Sequence, residues 1–185
     1  MADGHHLVLG EIVDFLTLRM LPDTLDERYR QALARRLVLD GGHPVEAIRS
    51  RIPLMVSIDG NRPAGIPLDF LIWAQGTPGM LVKFGPGSLV TRHRSAIAAA
   101  RLAASRPLPV TVVTNGVDAD VLDTTTGKIL GSGLDALPDR GTLETWVTTM
   151  PTAVLDPAKR EREERIFYVY EVDGSCPCDE TVCRL

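Results

Sequence analysis

Apolar residues at Ile12, Val13, Leu16 and Met20 recur at near-helical spacing, which predicts a first helix over 10–20. Thr24-Leu25-Asp26-Glu27 then matches a capping box. In that motif the Thr24 hydroxyl accepts from the Glu27 amide and the Glu27 side chain reaches back. A helix from Leu25 to about Leu39 follows, burying Tyr29, Leu33 and Leu37, and Gly41-Gly42 ends it. Pro44 is placed to start a short third helix running through Ser50.

The period then drops from 3.6 to 2. Ile52, Leu54, Val56 and Ile58 alternate with other residues, and Asp59-Gly60-Asn61 is turn chemistry. Ile66 to Trp73 predicts the next strand, with Leu68, Phe70 and Ile72 on one face and Asp69 and Leu71 on the other. Gln75 to Gly79 turns the chain and Met80 to Phe84 makes a third strand, so the three form an antiparallel meander. The alanine-rich stretch Ser95 to Ser105 predicts a helix by propensity. Pro109 to Thr114 predicts a buried strand closed by Asn115-Gly116, and Val117 to Leu122 with Lys128 to Leu130 predict a hairpin. Helices are expected at about 143–150 and, with Asp156 as cap and Pro157 in the first turn, at 158–170. The fold class is therefore α/β, a mixed central sheet flanked by helices. It is expected as one domain over 1–185, with an N-terminal helix at 10–20, a core at about 25–131, a helical extension at 142–170 and a cysteine-containing tail at 174–185.

Charge and composition narrow the function. A net charge of −4 argues against coating nucleic acid by overall charge, so the distribution of basic residues matters more than their total. Aromatics make up 5% of the chain, too few for a base-stacking platform. No apolar run approaches the roughly 20 residues of a membrane span, and the N-terminus carries no basic-then-apolar export signal. No membrane partner and a cytoplasmic location are expected.

The chemistry concentrates in two strands. Leu81 and Lys83 are two apart and share a face, and a short turn can bring Asp69 beside them. Metal-dependent phosphodiester cleavage needs two acidic oxygens to hold Mg²⁺ and a cation to orient or deprotonate water. Asp69 and Lys83 supply one carboxylate and the cation, and Leu81 supplies nothing.

Asp69, followed about a dozen residues later by position 81 and Lys83, resembles the PD-(D/E)XK nuclease motif. Glu27 to Val38 with Gly42-His43-Pro44, then Val110 to Gly116, Val121-Leu122-Asp123 and Thr126-Gly127-Lys128, resemble the N-terminal domain of type I restriction enzyme R subunits. The resemblance spans roughly residues 25–131. It implies Asp69 and residue 81 as metal ligands, Lys83 as the catalytic lysine and Glu27 as the helix acid. A leucine at 81 cannot bind a divalent ion. Between Asp69 and Asp118 the chain has no Asp or Glu, so a substitute acid would come from Glu27, Glu46 or Asp59.

That acid-free stretch holds Lys83, Arg92, His93, Arg94, Arg101 and Arg106, which predicts a positive surface beside the motif strands. Ser88, with Gly85-Pro86-Gly87, lies where loop amides and a helix N-terminus could meet a phosphate, so Arg92, Arg94, Arg101 and Ser88 are the candidate nucleic-acid contacts. Arg92 and Arg94 could equally pair with Glu161, Glu163 or Glu164 of the last helix. Cys176, Cys178 and Cys183 form a second cluster able to wrap a soft ion such as Zn²⁺, which would need a fourth ligand; a redox-labile pair or reduced, unoccupied thiols are the alternatives.

The leading expectation is a stand-alone, catalytically degenerate relative of the R-subunit domain that binds nucleic acid, DNA being the candidate partner. One rival is an active Mg²⁺-dependent endonuclease with a displaced carboxylate. The other is a scaffold for a protein partner. Oligomeric state stays open.

Overall fold

A computed structural model describes residues 7–57 and 64–173. The aliphatic segments of mid-chain build six strands: β3 (Ile48–Val56), β4 (Ala64–Ala74), β5 (Thr77–Phe84), β6 (Val110–Thr114), β7 (Ala119–Asp123) and β8 (Ile129–Ser132). They lie side by side in sequence order, and every neighbouring pair is antiparallel except β5 and β6. A parallel pair needs a long crossover, and helix α2 (Val90–Leu102) provides it. The sheet is thus mixed and flanked by helices, as the sequence pattern predicts.

Helices α1 (Leu25–Arg35) and α3 (Arg140–Thr149) serve one face, where Leu33, Leu37 and Leu143 pack on Phe70, Ile72, Met80 and Val112. On the other face α2 and α4 (Pro157–Tyr168) bury Ala98, Ala99, Leu102 and Phe167 with Leu71, Leu81 and Leu108. The three alanines Ala98 to Ala100 have no exposure at all, so their small side chains let the α2 backbone approach the strands closely.

Several boundaries differ from expectation. No helix forms over 10–20; Glu11–Val13 (β1) and Met20–Pro22 (β2) pair as a small antiparallel hairpin. The Asp14 carboxylate accepts the Leu16 and Thr17 amides at 2.9 Å each, and Leu18 takes a left-handed φ of 60°. Side-chain capture of those amides offers the backbone a turn in place of a helix. After Pro44 a single 3₁₀ turn, Val45–Ala47, replaces the expected helix, because Ile48 to Ser50 already pair with β4. Helix α2 begins five residues earlier than predicted, at Val90. Half of the capping box forms: Thr24 Oγ accepts the Glu27 amide at 3.1 Å, but the Glu27 carboxylate bonds Gln31 and Arg51. Along β4 the two-residue alternation does not carry through, since Leu68 belongs with the α2/α4 cluster while Phe70 and Ile72 face α1 and α3. The cause is a kink in the partner strand. Arg51 has φ 55°, and pairing breaks there, with Ser50 opposite Phe70 and Ile52 opposite Leu68.

Candidate functional site

The β4–β5 turn sets a register in which Phe70 faces Val82 and Leu71 faces Leu81, so Asp69 and Lys83 lie one step further along the same ladder. The structure brings them together: Lys83 Nζ stands 4.0 Å from Asp69 Oδ2, and each residue is only 9% exposed. Asp69 Oδ2 also accepts the Phe84 amide at 3.0 Å, while Oδ1 accepts Arg30 Nε at 2.7 Å. Both oxygens of the carboxylate are therefore held by donors from the chain itself.

Arg30 connects this pair to helix α1. Its guanidinium lies over the Phe84 ring, 5.0 Å from the centroid, and one of its terminal nitrogens is 4.0 Å from Glu27 Oε2. Glu27 in turn accepts from Arg51 Nη2 at 2.5 Å and Gln31 Nε2 at 2.7 Å, and Arg51 Nη1 reaches Asp14 at 2.9 Å. At the other end Lys83 Nζ donates to Glu171 at 3.1 Å, and the second Glu171 oxygen accepts from Ser95 Oγ at 2.5 Å. Asp14, Arg51, Glu27, Arg30, Asp69, Lys83 and Glu171 thus form one line of alternating charge. The left-handed kink at Arg51 opposite Asp69 is what turns the Arg51 side chain toward α1.

Leu81 points toward α2 and α4, opposite Leu71, with no exposure. Phe167 of α4, also fully buried, joins the same cluster, and Lys83 Nζ lies 5.8 Å from the centre of its ring. Helix α4 continues into a π turn, Val169–Asp173, which carries Glu171 over Lys83.

These residues do not fit a divalent ion such as Mg²⁺. Hard cations take several carboxylate or carbonyl oxygens. Here the lone Asp69 is engaged by an arginine and an amide, and an ammonium stands between it and Glu171. Among the described residues no group of three or more His, Cys, Asp or Glu is placed to hold a metal ion. Of the suggested substitute acids, Glu27 belongs to the ionic line, Glu46 lines a separate groove with His43 and Trp73, and Asp59 lies outside the described residues. Cys176, Cys178 and Cys183 also lie outside them.

The basic stretch is less free than its sequence suggests. The structure pairs Arg94 Nη1 and Arg101 Nη1 with the two oxygens of Glu163, at 2.6 and 2.7 Å. Arg101 donates as well to the carbonyls of Thr124 and Thr125. Arg92 donates to the Pro86 carbonyl, and His93 bonds Asp120 at 2.9 Å. Ser88 is exposed, but the Gly85 amide is directed to the Thr114 carbonyl and Pro86 has none, so only part of the loop can converge on an anion. A cleft of about 410 Å³ between α2, α4 and residues 153–155 is lined by Arg94, Arg101, Lys159 and Arg162, with Glu163 as its one lining acid.

Burial opposes ionisation of Asp14 and Glu163, but the Thr17 and Leu16 amides with Arg51, and the Arg94 and Arg101 guanidiniums respectively, outweigh it. Both carboxyls are held below their ordinary values. The unfolded chain therefore binds these protons first as pH falls. Their contribution to stability is complete above the ordinary carboxyl range, near about pH 4–4.5. It is lost progressively as pH drops through the depressed folded values. Urea midpoints measured against pH should hold steady down to that range and then decline, and Asp14→Asn should flatten the decline. An unchanged slope in Asp14→Asn would remove Asp14 from the acid-sensitive set.

Sequence reasoning missed Arg30, Arg51 and Glu171. Arg30 sits three residues after Glu27 and Glu171 four after Phe167, spacings that place each on a helix face without pairing it to Asp69 or Lys83.

The chain matches the family model for the type I restriction enzyme R protein N terminus over residues 25–138, well over half its length. No curated protein and no solved structure matches it.

Proposed function

The chain belongs to the family of type I restriction enzyme R protein N-terminal domains, and from that premise we propose that it is a member whose PD-(D/E)XK-type site no longer cleaves, while its α2–α4 face binds nucleic-acid phosphates. The observation that carries the first half is Leu81. At the position where the motif has its second acid, a fully buried leucine packs in an apolar cluster, and the remaining Asp69 carboxylate is engaged by Arg30 and the Phe84 amide. When bound, Mg²⁺ would polarise the phosphoryl group and activate water; the donor set gives it no second carboxylate.

The second half is supported by the α2–α4 cleft, whose lining has four cations to one acid. The Glu163 carboxylate aligns Arg94 and Arg101, and Lys159 and Arg162 stand on the adjoining helix turn. This arrangement suits backbone phosphates, which position a nucleic acid without reading its sequence. The substitutions Arg94→Ala and Arg162→Ala are expected to weaken binding of a DNA duplex uniformly across sequences. Each should reduce the steepness of the salt dependence by about one unit. Unchanged salt slopes in both would remove this cleft from the interface.

Plasmid incubated with the protein and Mg²⁺ or Mn²⁺ should stay intact. The rival reading, an active endonuclease with a displaced carboxylate, is favoured by one observation: Glu171, distant in sequence, reaches Lys83. Metal-dependent cutting abolished by both Asp69→Ala and Glu171→Gln would establish that reading instead.

A further inference from the structure

Lys83 Nζ and Ser95 Oγ converge on one carboxylate, each donating to a different oxygen of Glu171. Both donors are at least nine-tenths buried, and each comes from a rigid element, β5 for the lysine and α2 for the serine. Two fixed donors, one of them an ammonium that also stands 4.0 Å from Asp69, meeting the two oxygens of one carboxylate are the construction of an anion-binding pocket. The occupant here belongs to the chain. It arrives on the last turn of the helical C-terminal part, where hydrogen bonding has widened from α to π spacing, a form found as short local departures at functional sites.

We infer that Lys83 and Ser95 form a phosphate-binding pocket and that Glu171 is its intramolecular stand-in, so that the Val169–Asp173 turn is a latch competing with a phosphate group. The hold of the latch is local. Phe167, fully buried, anchors the helix just before the turn, whereas Val169 and Tyr170 are about half exposed. The turn can therefore swing out while α4 stays docked. The occupant it would admit is an anion that offers two oxygens to the donors Glu171 now satisfies. A phosphate monoester or diester meets this requirement, and inorganic phosphate is its simplest probe. The identification of the natural phosphate with nucleic acid rests on the function proposed above; the pocket itself does not.

The closing experiment uses the full chain. Because a pocket held shut by its own acid has an affinity reduced by the fraction of open molecules, Glu171→Gln should bind inorganic phosphate about tenfold more tightly than the parent at constant ionic strength. Adding Ser95→Ala should abolish that gain. Equal affinity in parent and Glu171→Gln, or a gain indifferent to Ser95→Ala, would overturn the inference. Should the substituted chains fold poorly, the parent answers alone. Phosphate should accelerate amide hydrogen exchange across 169–173 and leave 157–163 unchanged, and an exchange pattern insensitive to phosphate overturns the latch. A DNA duplex titrated in parallel separates the two readings. Phosphate behaviour as expected with no duplex binding leaves the pocket standing and sinks the nucleic-acid function. Duplex binding equal in parent and Glu171→Gln, with no phosphate preference, does the reverse.

Discussion

Leu81→Glu is expected to destabilise the folded chain by about 4 kcal/mol at pH 7 rather than to restore cleavage. Residue 81 has no exposure and sits among Leu71, Leu108, Ala99 and Phe167. A carboxyl with an ordinary value near about 4.3 must take up a proton to enter that cluster. At pH 7 this costs about 1.4 kcal/mol for each of the roughly 2.7 pH units involved. The nearby Lys83 ammonium offers little relief, being already engaged by Asp69 and Glu171. The sign distinguishes this mechanism from simple misfit. The folded pKa of the new acid is raised, so the penalty should shrink as pH falls from 7 toward 5, by about 2.7 kcal/mol over those two units. Leu81→Met, which keeps volume and polarity, should cost under about 1.5 kcal/mol. Urea unfolding of both variants across that range is the measurement. A stable Leu81→Glu chain that gains Mg²⁺-dependent cutting would mean that position 81 opens onto the site after all.

Phe167→Ala should cost about 3–5 kcal/mol, the usual range for emptying a fully buried aromatic position. Its effect should also be uneven. Phe167 and Glu163 are the two buried residues of α4, so the substitution removes the helix's main apolar anchor while β3 to β7 keep their own cluster with α1 and α3. Hydrogen exchange should rise first and most in α4, and phosphate affinity should rise with it as the latch loosens. Uniform loss of protection across sheet and helices would mean that α4 is an inseparable part of the core and would count against independent opening.

The relation between Leu81 and Phe167 explains why the two losses go together. An acid at 81 would have made the floor of the site polar and unable to receive an aromatic ring. With leucine there, the floor is apolar and the C-terminal helix docks on it, and that docking delivers Glu171 to Lys83. The leucine at 81 and the cover over Lys83 are thus linked through one apolar contact, that of Leu81 with the α4 cluster.

What the sequence revealed followed from local physics. The mixed sheet was legible because β-branched runs, turn residues and an alanine helix occur in an order that permits few topologies. Asp69 beside Lys83 was legible because a tight turn fixes which residues face each other. The N-terminal hairpin was not, since Ile12, Val13, Leu16 and Met20 have helical spacing and the deciding interaction is an Asp14 side chain capturing two amides. Nor was the rest of the ionic line. Arg30 meets Asp69 across 39 residues and Glu171 meets Lys83 across 88, and no periodicity encodes pairings at that separation. The basic stretch has no acid near it in sequence, and of the two readings open for Arg94 the structure bears out its pairing with Glu163 of the last helix, more than sixty residues further along, which takes Arg101 as well.

Chain order adds a temporal side to the α4 strap. Lys83 and Ser95 leave the ribosome well before Glu171, 88 residues behind the lysine, and at about 5–20 residues per second that lag is roughly 4 to 18 seconds. During translation the nascent sheet can close while its lysine still lacks the acid that later covers it. In that interval Lys83 has Asp69 beside it but not yet Glu171, so the side of the ammonium that the latch later covers is still open.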